Sequence, residues 1–286
     1  MKPLRHLLLL VLLVAFTAGA FAQWRRRGRG NSDSIRTARE LDQHSTTTPT
    51  WDNPAAFKND VFTFARIRYD SGGWGRRGGG WATDMPDSDL NLSYRLQQMT
   101  SMRVDPDGRV INLTDPELAD FPFIYIVEPG NLTFSDEEAA ALRAYLLNGG
   151  FLMFDDFWGD SAWENVEVEM KRVFPDRSFL ELPLEHELYQ RPFSIKSKGQ
   201  VPAIDQGVES QFSGITWEQQ HDGDTQTVHH RGITDDKERL MVLATHNTDN
   251  GDGWEREGES DYYFHNFSEK IAYPLGINII FYVMTH

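Results

Sequence analysis

The segment Ser135 to Trp158, SDEEAAALRAYLLNGGFLMFDDFW, restricts the folds open to this chain more than any other. Ser135 with Glu138 three residues later is a capping box, in which each side chain satisfies an N–H group at the helix start. Ala139, Leu142, Tyr145 and Leu146 then fall on one helical face. Asn148, Gly149 and Gly150 stop the helix by allowing a left-handed turn, and Phe151 to Phe154 is an apolar run suited to a strand covered on both faces. Asp155 and Asp156 therefore stand at the carboxyl end of a central strand, where open α/β sheets bind ligands.

The rest of the chain repeats this alternation. Val61 to Arg68 alternates in the β manner, Leu90 to Met99 reads as a helix, and Arg109 to Leu113 is a short strand after the turn Asp105-Pro106-Asp107-Gly108. Phe123 to Val127 is an apolar strand that ends in Glu128-Pro129-Gly130. Ser161 with Glu164 forms a second capping box and opens a helix to about Val173. Ser178 to Glu181 and Leu240 to Thr245 read as strands. The last element, Glu269 to Met284, carries Pro274 and Gly276 in a helical pattern, which predicts a kink or a late start. Strands and helices in this order predict an α/β fold, a flavodoxin-like three-layer sandwich with a largely parallel central sheet.

Met1 to Ala22 has a basic start (Lys2, Arg5), an apolar run from Leu7 to Phe16 and the small-x-small box Ala20-Phe21-Ala22. This reads as an export signal cleaved after Ala22, which places the protein in the periplasm or the medium with no transmembrane segment after cleavage. The sequence contains no cysteine, which excludes disulfides, thiolate catalysis and cysteine metal sites. With 43 acidic residues against 28 basic and a formal charge of −15, the chain is a poor partner for nucleic acid. The run Trp24 to Gly30, WRRRGRG, is read as a solvated Arg-Gly tail. Residues 23–56 are polar and aperiodic, an extended or disordered leader, and residues 57–286 are expected to form a single domain. SGGWGRRGGGW (Ser71 to Trp81) is glycine-rich but lacks dinucleotide spacing, so no nucleotide cofactor is expected and a lid is the better reading.

The series YDSGGW (Tyr69 to Trp74), FPFIYIVEPG (Phe121 to Gly130), LRAYLLNGGFLMFDDFWG (Leu142 to Gly159), VFPDRSFLELPLEHELY (Val173 to Tyr189), NTDNGDGWE (Asn247 to Glu255) and LGINIIFY (Leu275 to Tyr282) resembles the bacterial family known as domain of unknown function 4159. The resemblance spans about residues 60–284. That family is similar in turn to the class I glutamine amidotransferase-like fold, so the resemblance implies such a fold and site positions, without an activity. In amidotransferases of that fold a cysteine nucleophile follows the equivalent strand; here the turn carries Asp155 and Asp156, and cysteine-based glutaminase chemistry is excluded. Relatives usually have a proline directly after the histidine equivalent to His186, whereas this chain has Glu187.

The candidate catalytic residues are Asp155, Asp156 and His186, a carboxylate pair and a histidine able to act as general base. Adjacent strand residues point to opposite faces, so one of the two aspartates is expected to face the crevice unless the strand has already turned. Asp70, Trp74, Glu128, Asp249, Asp252 and Trp254 are candidate ligand-binding residues, the two tryptophans as platforms for a sugar ring or peptide. The carboxylates also admit a divalent metal. Aligned on Thr248, residues Asn250, Asp252, Gly253 and Glu259 approach a calcium loop, but threonine is a poor first ligand and a strand precedes it, so a turn-rich binding loop is preferred. His229-His230 lacks zinc-helix spacing, and Asn112 and Asn131 match the glycosylation pattern, which carries little weight in a chain with this bacterial resemblance. These residues support an exported ligand-binding or envelope-associated module whose partner is a small molecule, a carbohydrate or an envelope protein. The rivals are a carboxylate–histidine hydrolase, metal-assisted in one version, and a scaffold subunit of an envelope complex.

Overall fold

In the computed structural model, which describes residues 34–57, 60–71 and 80–286, the apolar runs of the sequence become neighbouring strands. In chain order the elements are β1 (Ala65–Ile67), β2 (Asp70–Ser71), α1 (Asp87–Met99), β3 (Arg109–Ile111), β4 (Phe123–Val127), β5 (Leu132–Thr133), α2 (Asp136–Leu147), β6 (Phe151–Asp155), α3 (Gly159–Val173), β7 (Leu180–Glu181), α4 (Ile204–Ser213), β8 (His229–Thr234), β9 (Leu240–His246) and α5 (Asn250–Glu255). The carboxyl-terminal helix follows as α6 (Asp261–Tyr263), a π-helical stretch (Phe264–Ala272) and α7 (Tyr273–Thr285).

The seven-stranded sheet runs β3-β1-β4-β6-β9-β8-β7. Its first five members are parallel, and β8 and β7 extend the edge in antiparallel fashion. Taken in chain order, the five parallel strands lie second, first, third, fourth, fifth. Phe123, Tyr125 and Val127 of β4 and Phe151 and Met153 of β6 share one core with Leu92 and Leu96 of α1, Trp254 of α5 and Leu275 and Ile277 of α7. The intervening Ile124, Ile126, Leu152 and Phe154 are equally buried, so the sheet is covered on both faces. The second face falls to α2 and α3, whose Leu142, Leu146, Val166 and Met170 are buried. Each such side chain removed from water contributes about 1.5–3 kcal/mol.

The capping box at Ser135 forms as the sequence predicts: the Glu138 N–H donates to Ser135 Oγ, and the Ser135 N–H donates to Glu138 Oε2. The box at Ser161 does not form. Helix α3 starts three residues earlier, with Trp158 in place of Ser161 as N-cap, because other loops cover its first N–H groups: Gly159 N–H donates to Asn247 Oδ1, and Ser161 N–H and Oγ both donate to Asp222. Pro274 lies in the first turn of α7, where its missing N–H costs little, and the π-helical stretch before it absorbs the irregularity.

Residues 36–286 form one compact unit, which moves its start upstream of Phe57. The stretch after Arg36 is extended, but it is docked rather than solvated. Ala38 is buried, Arg39 donates to the carbonyls of Pro106, Thr48 and Pro49, and Trp51 Nε1 donates to Val104 O. Asp87, in the first turn of α1, accepts the backbone N–H groups of His44 and Thr46. Composition missed this because the leader binds through polar groups, with little apolar periodicity to read. The expected signal segment, the Arg-Gly tail and most of the glycine-rich loop, Trp74 included, lie outside the described residues. Among the described residues, no helix is long and apolar enough to cross a membrane.

Candidate functional site

The parallel strands end on a cleft of about 940 Å³ whose lining includes Tyr69, Asp84, Glu128, Asp156, Asp249 and Asp252. Two adjacent strands turn into it in the same manner, Glu128 after β4 with φ 49° and Asp156 after β6 with φ 54°, and Asn247 after β9 has φ 61°; all three lie in the left-handed region that non-glycine side chains disfavour. Glu128 and Asp156 stand side by side because Val127 and Asp155 are register partners.

The left-handed turn separates the two adjacent aspartates. Asp155 completes the strand and is wholly buried, with both oxygens occupied: Thr245 Oγ1 (2.5 Å) and Asn250 Nδ2 (2.8 Å) donate to Oδ1, and Tyr125 OH (3.0 Å) and the Gly251 N–H (2.9 Å) donate to Oδ2. Burial pushes its carboxyl up to about 6 against the pull of those four donors. Asp156 is swung into the cleft, where its Oδ1 accepts only the indole N–H of Trp158 at 3.2 Å. Asp155 anchors the loop after β9; Asp156 faces the ligand space.

A third aspartate, which carries no motif in the sequence, meets Asp156 there. Asp84 has φ 64° and lies in a segment held by Arg66, a fully buried arginine of β1. Arg66 pairs with Asp89, donates to Ser88 Oγ, and through Nη1 donates to the carbonyls of Trp81 (3.0 Å) and Thr83 (2.9 Å). Removing one member of such a buried pair costs about 3–5 kcal/mol, so the segment carrying Asp84 is firmly fixed. Two glycines make room for the carboxylates. A Cβ on Gly251 would lie 2.0 Å from Asp84 Oδ2, and one on Gly80 would lie 1.8 Å from Glu128 Oε2.

Asp84 is 7% exposed, and its Oδ2 has no hydrogen-bond partner. One oxygen each of Asp84, Asp156 and Asp249 lie within 4.8 Å of one another, and Asp84, Asp252 and Glu255 form a second such group. Two carboxylate charges at that separation repel by about 3–4 kcal/mol at an effective dielectric near 20. Burial first, and the neighbouring carboxylates next, hold Asp84, Asp156 and Asp249 well above the usual carboxylate range. The second group is better compensated. Asp252 accepts Arg256 Nε (3.1 Å) and the Ile204 N–H (2.7 Å); Glu255 lies 2.8 Å from His44 Nε2 and 2.6 Å from Arg256 Nε. Burial still pushes the Glu255 carboxyl up to about 10.

The other sequence candidates divide. Asp249 caps α5 by accepting the Asp252 N–H at 2.7 Å, and both residues line the cleft. Asp70 is exposed on the β2–β5 ribbon, and only its neighbours Tyr69 and Ser71 line the cleft. Trp254 corrects the expectation of a surface platform. It is fully buried against Phe64 and Tyr125 with its indole N–H on Ala272 O, because residues 250–255 form a helix whose outer turn faces the core. That helix also removes any calcium-loop geometry, and Glu259 pairs with Arg256. His186 is not brought to the aspartates. It lies at the opposite, amino end of the sheet, beside Gly149 before β6 and Arg239 before β9, where its Nδ1 accepts the Leu188 N–H and its ring packs on Tyr282. The histidine that does line the cleft is His221, 2.9 Å from Glu218. His230 lies in β8, buried against Tyr189 OH. Asp84 and Arg66 escaped sequence reading; the aspartate-dense run Asp84 to Asp89 before a helix was the available signal.

No curated protein matches this chain. The profile of a family described as a domain of unknown function (DUF4159) matches residues 63–284, a span that takes in every strand of the sheet and the whole carboxylate cleft. The chain is a member of the DUF4159 family.

Proposed function

We propose that this protein is an exported, non-thiol domain of the glutamine amidotransferase-like superfamily that works as a ligand-binding module of the cell envelope, with the carboxylate cleft as its binding site. The observation that carries this reading is the convergence of Asp84, Glu128, Asp156 and Asp249 in a cleft at the carboxyl ends of the parallel strands. In open α/β sheets ligands bind in that position, at the point where strand order reverses, which here is between β1 and β4. The order second, first, third, fourth, fifth supports the flavodoxin-like assignment. Asp156 occupies a left-handed strand-to-helix turn, the place that a nucleophile takes in elbow motifs, which supports kinship with the amidotransferase-like folds. Export to the periplasm or the medium rests on the basic, apolar and small-x-small order of residues 1–22.

The test is a thermal-shift screen of the full chain against sugars, polyols and small cations, repeated on the cleft-filling variant Ala203→Trp. Ligands that raise the melting temperature of the parent alone support the cleft; ligands that act equally on both reject it. A metal-assisted hydrolase is the second reading, favoured by the His221–Glu218 pair in the same cleft, with His221 in the place foreseen for His186. It predicts turnover of chromogenic esters or phosphoesters that His221→Ala abolishes.

A further inference from the structure

We propose that the cleft holds one hard divalent cation, of the calcium or magnesium kind, on carboxylate oxygens of Asp84, Asp156 and Asp249. This assignment rests on the cleft being the binding site and names what fills it first. Oxygens around calcium sit about 2.3–2.6 Å from the ion, so two of them can lie no more than about 5 Å apart. The three carboxylates meet that condition, with one oxygen each inside a 4.8 Å group.

The acidic cluster alone would say little; Asp84 Oδ2 supplies the independent observation. It is a desolvated acceptor with no donor, on a side chain 7% exposed that lines the cleft and belongs to this carboxylate group. Asp156 and Asp249 each commit one oxygen, to Trp158 Nε1 and to the Asp252 N–H, and keep the other for a ligand. Among the described residues no arginine or lysine forms an ion pair with any of the three. Arg66 is consumed by Asp89, Ser88 and two carbonyls, and Arg256 by Asp252, Glu255 and Glu259.

Arg256 and His44 also explain why the second group is passed over: its Asp252 and Glu255 already have cationic or hydrogen-bonding neighbours. The donor set contains neither imidazole nor thiolate, which selects hard cations over zinc or copper. The remaining coordination positions open into the cleft, where water or an oxygen-rich ligand completes the shell.

Terbium emission sensitised by Trp158, with displacement by calcium, magnesium or manganese chloride, tests this on the chelator-treated full chain. One saturable equivalent is expected, with affinity lowered at least about tenfold by Asp84→Asn and by Asp249→Asn. Glu255→Gln is expected to bind within about twofold of the parent, as a side chain outside the ligand set should. Absence of saturable binding, binding by both aspartate variants equal to that of the parent, or loss through Glu255→Gln alone overturns the assignment. If sugars or polyols bind the parent but not Ala203→Trp while no cation binds, the cation is rejected and the cleft stands. If neither class binds, both readings fall.

Discussion

At the amino ends of β6 and β9, Arg239 donates to the carbonyls of Leu146 and Gly150 and pairs with Asp235, while Tyr282 OH accepts the Leu240 N–H. At the carboxyl ends of the same two strands, Asp156 and Asp249 face Asp84 across a group with no ion pair among the described residues. At the amino end the Arg239 guanidinium meets an opposite charge and carbonyls. The other end concentrates like charges on left-handed backbone. Folding stability explains the first arrangement and opposes the second, and such opposition is the mark of a site kept for something outside the chain.

The contrast is sharpest between carboxylates of the same loop cluster, which should respond to the same change with opposite signs. Asp155→Asn places an amide N–H₂ against donors that now have an oxygen, and should destabilise the fold by about 2–4 kcal/mol. Denaturant unfolding measures this, and a loss below about 1 kcal/mol would remove Asp155 as the anchor of the loop after β9.

Arg239→Met at the amino end should cost about 1–3 kcal/mol, because it removes the guanidinium that donates to the Leu146 and Gly150 carbonyls and pairs with Asp235. The same unfolding curves apply. An unchanged midpoint would mean that the amino end is no better satisfied than the cleft.

Burial holds His230 neutral, its pKa lowered to about 3, with Lys198 and His229 adding to the shift and Glu181 opposing it. The unfolded chain takes up this proton below about pH 6.5 and the folded one does not, so acid removes about 1.4 kcal/mol per pH unit from pH 6.5 down to about 3. Buried carboxylates such as Asp155 titrate in the opposite sense over part of this window, so the readout is a difference. The stability gap between the parent and His230→Gln should close by that slope as pH falls from 6.5 to 4. A gap independent of pH would show that His230 is protonated in the fold.

The smallest effect expected is a gain. Asp84→Asn in chelator-treated protein removes one of the repelling charges and should leave stability unchanged or raise it by up to about 1 kcal/mol. A melting temperature lowered by several degrees would make Asp84 a structural residue like Asp155 and erase the contrast between the two ends.

The amino-acid sequence by itself determined the local pieces of this protein. The Ser135 capping box, the Asn148–Gly150 stop and the strand from Phe151 depend on neighbours within a few residues, and the structure reproduces them. So does the placing of Glu128 and Asp156 at strand ends, since a buried apolar run stops where charge begins. Tertiary structure decided which of these groups meet. Asp156 faces the cleft and Asp155 does not because of one left-handed dihedral angle, which two adjacent aspartates in a sequence do not encode. The segment carrying Asp84 is fixed by Arg66, a strand residue 18 positions earlier, partly through the carbonyls of Trp81 and Thr83, bonds that leave no pattern in side-chain types. His186 and Trp254 look like site residues in the chain, yet one lies at the far end of the sheet and the other inside the core. Periodicity reports a residue's own turn or strand, whereas the distance between carboxylates is fixed by crossovers tens of residues long, and only the packed sheet sets it.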